Sequence, residues 1–349
     1  MVYTSMTILT LIFAGLLQKY EKSSVMARAG LSMGVFLPMY LVNSFMFYTG
    51  NDYSAYYESF KMYQNGEPVR FEPGYKLVNK LVIFLGLDFQ WVYIILCCAG
   101  YGLLLTIVFR YSRSYAYTLF LYIISGYFFL LGMNALRMFI AVGVISWSYR
   151  YLIERRLIPF LVCTMIATLF HTSALIMLPI YYLLNWKLKL SFFVTLAVLV
   201  IPIHFFSKPV LHLLLSGAYA STYVDGAYFR DGFRFDFIYV LSHFIPAAVI
   251  FWYHKKGYED REDIVFTNAS IWGLTTVLLF SWFPEYERIA YLFMIPVFCF
   301  LPKVLLKEKN ITRRWACGAL IAVSFGLSTL WRIQGWGVFP YKSVFGLIG

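Results

Sequence analysis

Two stretches of the chain combine carboxylates, guanidinium groups and tyrosines at close spacing. The first holds Asn51, Asp52, Tyr53, Tyr56, Tyr57, Glu58, Arg70, Glu72 and Tyr75, and the second holds Tyr219, Tyr223, Asp225, Tyr228, Arg230, Asp231, Arg234 and Asp236. Rings that can lie on the apolar face of a sugar, alternating with charges that bind hydroxyls, suit a carbohydrate ligand. Against this stands the tendency of Tyr and Trp to gather at any membrane interface, which accounts for most of the 29 tyrosines. Ionisable residues at the ends of apolar runs say more, because a charge inside or at the mouth of a membrane is costly and marks function by default. Asn134 and Arg137 are three apart and share a helix face, and Glu285, Glu287 and Arg288 make a second cluster. Structural alternatives exist for each: Arg137 can snorkel or pair with a carboxylate, Arg288 can pair with Glu285, and His171 can cap a helix turn.

The elements that must position these residues are membrane helices. Of 349 residues, 61% are hydrophobic and 13% charged, with a mean hydropathy of +0.69, whereas a globular chain carries roughly a quarter charged residues. Apolar runs long enough to cross hydrocarbon, about 20 residues each, recur from Leu9 to Leu330. Backbone groups in lipid must bond within their own segment, so the runs are helices, and the alternation a membrane barrel needs is absent. The first run lacks the basic flank and small-residue cleavage site of a signal peptide and reads as a retained span. Spans are predicted near 2–18, 30–49, 91–108, 115–133, 135–153, 157–170, 171–185, 190–206, 237–254, 265–282, 289–305 and 315–330. The fold class is therefore an all-α polytopic membrane protein of about twelve helices, forming a single integral membrane domain over 1–349. Two points strain this reading: the run 115–149 is too long for one crossing and is expected to turn at Gly132-Met133-Asn134, and 157–184 is one long helix or two short ones, with charge parity favouring two.

The loops set the orientation. With both ends outside, the short loops assigned to the cytoplasm hold 18 of the 29 Lys and Arg, as the positive-inside tendency demands. That explains the net charge of +12 without nucleic acid. The long segments 50–90 and 207–236 then lie outside, the first with an amphipathic helix over Tyr75 to Leu87 that places Leu77, Val78, Leu81, Val82 and Leu85 against Lys76, Asn79 and Lys80. The five cysteines all fall inside apolar runs without zinc-site spacing, and neither a metal nor a cofactor is expected.

Taken in order, Gly50-Asn51-Asp52-Tyr53-Ser54-Ala55-Tyr56, Glu72-Pro73-Gly74-Tyr75, Asn134-Ala135-Leu136-Arg137, Phe170-His171-Thr172-Ser173-Ala174-Leu175 and Glu287-Arg288-Ile289-Ala290-Tyr291 resemble the EpsG family of bacterial exopolysaccharide proteins. The likeness runs from about Asp52 to Tyr291, and its specificity lies in the order and spacing of motifs that are each weak alone. It departs at Met138, where many relatives carry Gln. The resemblance implies a Wzy-type polysaccharide polymerase, GT-C-like in architecture. Such an enzyme joins oligosaccharide repeat units carried on undecaprenyl diphosphate at the outer face of the bacterial plasma membrane, for exopolysaccharide, capsule or O-antigen, with a flippase and a chain-length regulator as pathway partners. An alcohol acceptor needs a carboxylate to take its proton, and Asp52 then Glu72 are the candidates, with His171 assisting. Arg137 and Arg288, followed by Arg70, Arg230 and Arg234, are the candidates to bind the departing diphosphate. Tyr53, Tyr56, Tyr75, Asn134, Glu285 and Glu287 are the candidates to bind sugar. A lipid-linked-sugar flippase, a membrane acyltransferase and a structural scaffold are the competing classes. The flippase is disfavoured by the lack of a repeated half.

Overall fold

A backbone in hydrocarbon has to satisfy its own hydrogen bonds, and the apolar runs accordingly form helices. The computed structural model describes residues 1–126, 129–187, 237–254, 258–280, 286–333 and 335–346, with single positions at 195, 198, 199 and 202. Among them lie α1 (Val2–Lys19), α2 (Val25–Ser44), α3 (Tyr53–Gln64), α4 (Pro73–Phe84), α5 (Gln90–Tyr111), α6 (Tyr115–Ile124), α7 (Phe129–Asn134), α8 (Leu136–Ile153) and α9 (Leu157–Thr168). A 3-10 turn (Thr172–Ile176) leads into α10 (Met177–Asn185), followed by α11 (Phe237–His254), α12 (Arg261–Phe280), α13 (Glu287–Leu306) and α14 (Ile311–Ile333). Six of these, α1, α2, α5, α11, α12 and α13, are long and apolar enough to cross a membrane. The other predicted spans within the described residues correspond to helices that are shorter or more polar. The span at 190–206 and the segment 207–236 lie outside the described residues, single positions apart.

Helix α13 is the axis of the bundle. Apolar residues cover its whole circumference, which is the pattern of a helix surrounded by others, and Ala290 through Leu305 are buried almost without interruption. It packs against α5, α6, α8, α12 and α14. At the edge, α1 and α2 pair with each other and leave Ile8, Leu9, Ile12, Met33 and Leu41 exposed on the outer side.

Five local features differ from what the sequence suggests. Helix α2, capped by the Ser24 hydroxyl accepting from Ala27 N–H at 3.2 Å, stops at Ser44 rather than near 49. The chain beyond it instead pairs with the segment after α14, through Phe47 N–H to Lys342 O at 2.9 Å and Val344 N–H to Phe45 O at 3.0 Å. The predicted span 115–133 is broken: α6 ends at Ser125-Gly126, with Gly126 at φ +63°, and α7 follows. The turn expected at Gly132-Met133-Asn134 falls one residue later, at Ala135 (φ −106°, ψ 65°). In 50–90 there are two helices rather than one, since Tyr53, Tyr56, Ser59 and Phe60 give α3 a buried face. Finally, Asn79, assigned to the polar face of α4, is fully buried and donates to Tyr75 O at 2.8 Å; Leu77, Leu81, Phe84 and Leu85 form the exposed apolar side.

The end of α13 away from its first turn carries an ionic cluster. Asp263, fully buried on α12, receives Lys303 at 2.9 Å, His254 at 3.3 Å and Lys307 at 3.4 Å. Its carboxylate also accepts the Glu259 N–H at 3.0 Å. Two lysines that the sequence assigns to orientation thus also join α11, α12 and α13. Removing one partner of a buried ionic group costs on the order of 3–5 kcal/mol, because the others keep their charge. Asp263→Ala protein is therefore expected to lose its fold at a clearly lower temperature in detergent, measured by thermal aggregation, whereas Lys309→Ala, on the exposed loop, leaves the midpoint unchanged.

Candidate active site

A cleft of about 220 Å³ opens where four separate parts of the chain meet. Asn51 and Asp52 reach it from the start of α3, Asn134 and Ala135 from the α7–α8 break, Glu287, Arg288 and Tyr291 from the first turns of α13, and Trp336 from the segment after α14.

The motif Gly50-Asn51-Asp52 is legible in its contacts. Asn134 Oδ1 accepts the Asn51 N–H at 2.7 Å, and Gly50 N–H donates to Gly337 O at 2.8 Å. Gly50 stands at φ +86°, and a Cβ there would lie 2.8 Å from Met133 O, so only glycine lets the loop press on the helix break. Asp52 occupies the N-cap position of α3, yet its carboxylate makes no capping bond and lines the cleft instead.

Glu72-Pro73-Gly74 works in parallel. Pro73 begins α4 where its missing N–H is harmless. Glu72 sits at the N-cap, and its carboxylate is paired with Arg137 rather than with its own helix. The guanidinium of Arg137 lies 4.2 Å from the ring centre of Phe71 and 5.8 Å from that of Tyr56. Gly74 donates to Leu169 O at 2.7 Å, and a Cβ at Gly74 would meet that same oxygen at 2.7 Å. The start of α4 therefore abuts the turn that carries His171.

His171 is buried and caps the 3-10 turn: its Nδ1 accepts from Ser173 N–H at 3.3 Å and lies 2.7 Å from Ser173 Oγ. With Nδ1 accepting, the neutral ring carries its proton on Nε2. The Ser173 hydroxyl lies 3.6 Å from Met138 Sδ, so the residue departing from the family pattern still has a polar neighbour. Burial, followed by the charges of Arg288 and Arg137, pushes the imidazole from its ordinary value down to about 3. Burial raises the Tyr56 hydroxyl, Arg137 opposes this and Asp52 adds to it. One ring thus senses both a candidate base and a candidate diphosphate ligand.

Asp52, Asn134, Glu287 and Arg288 are brought to one cleft, with the Glu72–Arg137 pair and His171 in the adjoining electrostatic environment. The three tyrosines assigned to sugar are not in it. Tyr53, Tyr56 and Tyr75 are 2%, 2% and 0% exposed. They pack among themselves and with Tyr93, Phe71 and Phe89; Tyr53 stacks on Tyr93 at 5.6 Å and Tyr56 meets Tyr75 at 5.2 Å. Tyr53 and Tyr56 belong to the buried face of α3 and Tyr75 to that of α4, and a bundle fills such faces with rings. Arg70 is exposed and does not line the cleft. Arg230, Arg234 and Glu285 lie outside the described residues. Two further cleft residues had no role assigned from the sequence: Tyr291, which closes the Glu287-Arg288 motif, and Trp336, which belongs to no motif. Tyr291 lies one helical turn after Glu287, and Trp336 stands between two glycines, which are the signals that identify them. Among the described residues, no group of three His, Cys, Asp or Glu is placed to hold a metal.

A histidine whose native pKa lies below its unfolded value is stable as the neutral ring and binds its proton only on unfolding. Its contribution to stability is present above about pH 6.5 and is lost as pH falls toward 3. His171→Gln protein should therefore lose less thermal stability than the parent between these pH values, and an identical acid profile for the two proteins would refute the buried neutral imidazole.

No curated protein and no solved structure matches the chain, so likeness to the GT-C glycosyltransferases rests on motifs and not on a matched fold. A family model does match, over residues 31–343, a range that takes in all four parts of the cleft. By that match the chain belongs to the EpsG family, whose members are Wzy-type polysaccharide polymerases.

Proposed function

We propose that the protein is a membrane glycosyltransferase that joins oligosaccharide repeat units carried on undecaprenyl diphosphate, acting at the outer face of the bacterial plasma membrane to build exopolysaccharide, capsule or O-antigen. The observation that carries this reading is a cleft lined by both a carboxylate, Asp52, and a guanidinium, Arg288, at the N-terminal turn of α13. There the backbone N–H groups of the first turn and the guanidinium both favour an anion. Arg137 is placed likewise, as the second residue of α8. Two helix N-termini and two guanidinium groups together suit a diphosphate.

In the reaction, the acceptor hydroxyl attacks the anomeric carbon of the growing glycan. A new glycosidic bond forms as the bond to the diphosphate breaks, the hydroxyl proton passes to Asp52, and the electron pair leaves on the diphosphate oxygen. Arg288 and Arg137 stabilise the charge that gathers there, and contacts that strengthen in this way lower the barrier. Glu72, engaged with Arg137, serves better to aim that guanidinium than to take a proton, and His171 offers its Nε2–H to a phosphate oxygen. The exposed apolar stripe of α4 rests in the outer membrane interface beside the cleft. A flippase supplies the lipid-linked units, and a chain-length regulator acts on the product.

Purified full-length protein in liposomes, given its lipid-linked repeat unit and no nucleotide sugar, should produce longer glycans on a gel. Asp52→Asn and Arg288→Ala should lower that activity by about 100-fold or more, and Glu72→Gln by less. Wild-type protein that yields no longer chain, or both variants making full-length polymer, would defeat the assignment. Orientation is tested separately: a reporter fused after Gly257 should read cytoplasmic and one inserted near Asp225 external, and the reverse result would put the cleft on the wrong surface.

A further inference from the structure

A sugar in this cleft needs an apolar surface for its ring, and the three tyrosines that seemed to offer one are in the core. Two aromatic side chains line the cleft, Tyr291 and Trp336. Tyr291 is 3% exposed and has almost no free face, whereas Trp336 is half-buried and packs against the hydrophobic core. Trp336 also lines a small apolar crevice with Leu130 and Ile333, so its indole is backed by the bundle while reaching the polar cleft.

We propose that Trp336 is the platform on which a pyranose ring of the repeat unit stacks; the proposal takes its ligand from the polymerase reading and adds the residue that recognises the sugar. The C–H groups on a pyranose face are weakly positive and complement the negative face of an indole. The backbone around Trp336 is tied on both sides to the residues just before Asp52. Asn51 Nδ2 donates to Gly335 O, Gly50 N–H donates to Gly337 O at 2.8 Å, and Trp336 N–H returns to Ile333 O at 3.2 Å. A sugar on the indole is thereby held in register with the carboxylate that takes the proton.

The test uses full-length protein in nanodiscs and two probes: undecaprenyl diphosphate without sugar, and the lipid-linked repeat unit that accumulates in cells lacking the protein. Trp336→Ala is expected to weaken binding of the sugar-bearing carrier by about tenfold and to leave the bare carrier unchanged, with Trp336→Phe recovering most of the loss. Arg288→Ala is expected to weaken both carriers. Equal weakening of both carriers by Trp336→Ala makes the residue a scaffold and overturns the proposal, as does unchanged binding. Wild-type protein that binds neither carrier sinks the polymerase reading and the proposal together. Should Trp336→Ala not fold, Trp336→Leu, which keeps apolar bulk without a ring, decides by the same comparison.

Discussion

A guanidinium on the second residue of a membrane helix faces two penalties, the low dielectric around it and the positive end of the helix dipole. Arg137 meets both, and the pairing with Glu72 is the answer on which the surrounding architecture depends. Glu72 immediately precedes the proline that starts α4, so satisfying the charge fixes where the amphipathic helix begins. Phe71 then covers the guanidinium, and Gly74 brings the helix start against Leu169. The turn at His171 is held in the same assembly, with its ring kept neutral by burial and by the charges of Arg288 and Arg137. One ion pair thus organises a loop, the amphipathic helix α4 and a helical turn around the start of α8.

The two ends of α13 handle charge differently. At the Lys303 and Lys307 end, cations and carboxylates are matched within the protein, and Asp263 is enclosed by its partners. At the other end, Glu287 and Arg288 open on a cleft that also holds Asp52. Paired buried charge joins the helices at the first end, and charged residues that line a cleft are placed to meet a ligand. About 30 Å of helix separates the two ends at 1.5 Å per residue, so the structural network and the candidate site do not interfere.

Closure of the cleft depends on chain segments that are distant in sequence. The strand-like contact of Met46 with Ser343, and the bonds from Gly50 and Asn51 to the backbone at 337 and 335, bind the segment after α2 to the segment after α14. Trp336 and Asp52 owe their common setting to this lacing, and the early end of α2 at Ser44 is its consequence in secondary structure.

The membrane class, the helices α1, α5, α11 and α13, the break before Arg137 and the motif residues Asp52, Glu72, Arg137 and Arg288 could all be read from the sequence, because hydropathy and the cost of a charge in lipid are local properties. The division of 157–184 into two helices was legible from charge parity, but the second break at Gly126 was not, since the Ser125-Gly126 pair that makes it lies within a run whose hydropathy reads as continuous. Which rings face a ligand was also out of reach: Tyr53, Tyr56 and Tyr75 carry the composition of a sugar site and the burial of a core, and only packing against Phe89 and Tyr93 distinguishes the two. Burial of Asn79 and the role of Trp336 likewise depend on which neighbours arrive from elsewhere in the chain. Sequence determines what each segment can tolerate around it, whereas tertiary structure decides which tolerated surface is covered, because contacts between residues almost 300 positions apart leave no periodic trace in either partner.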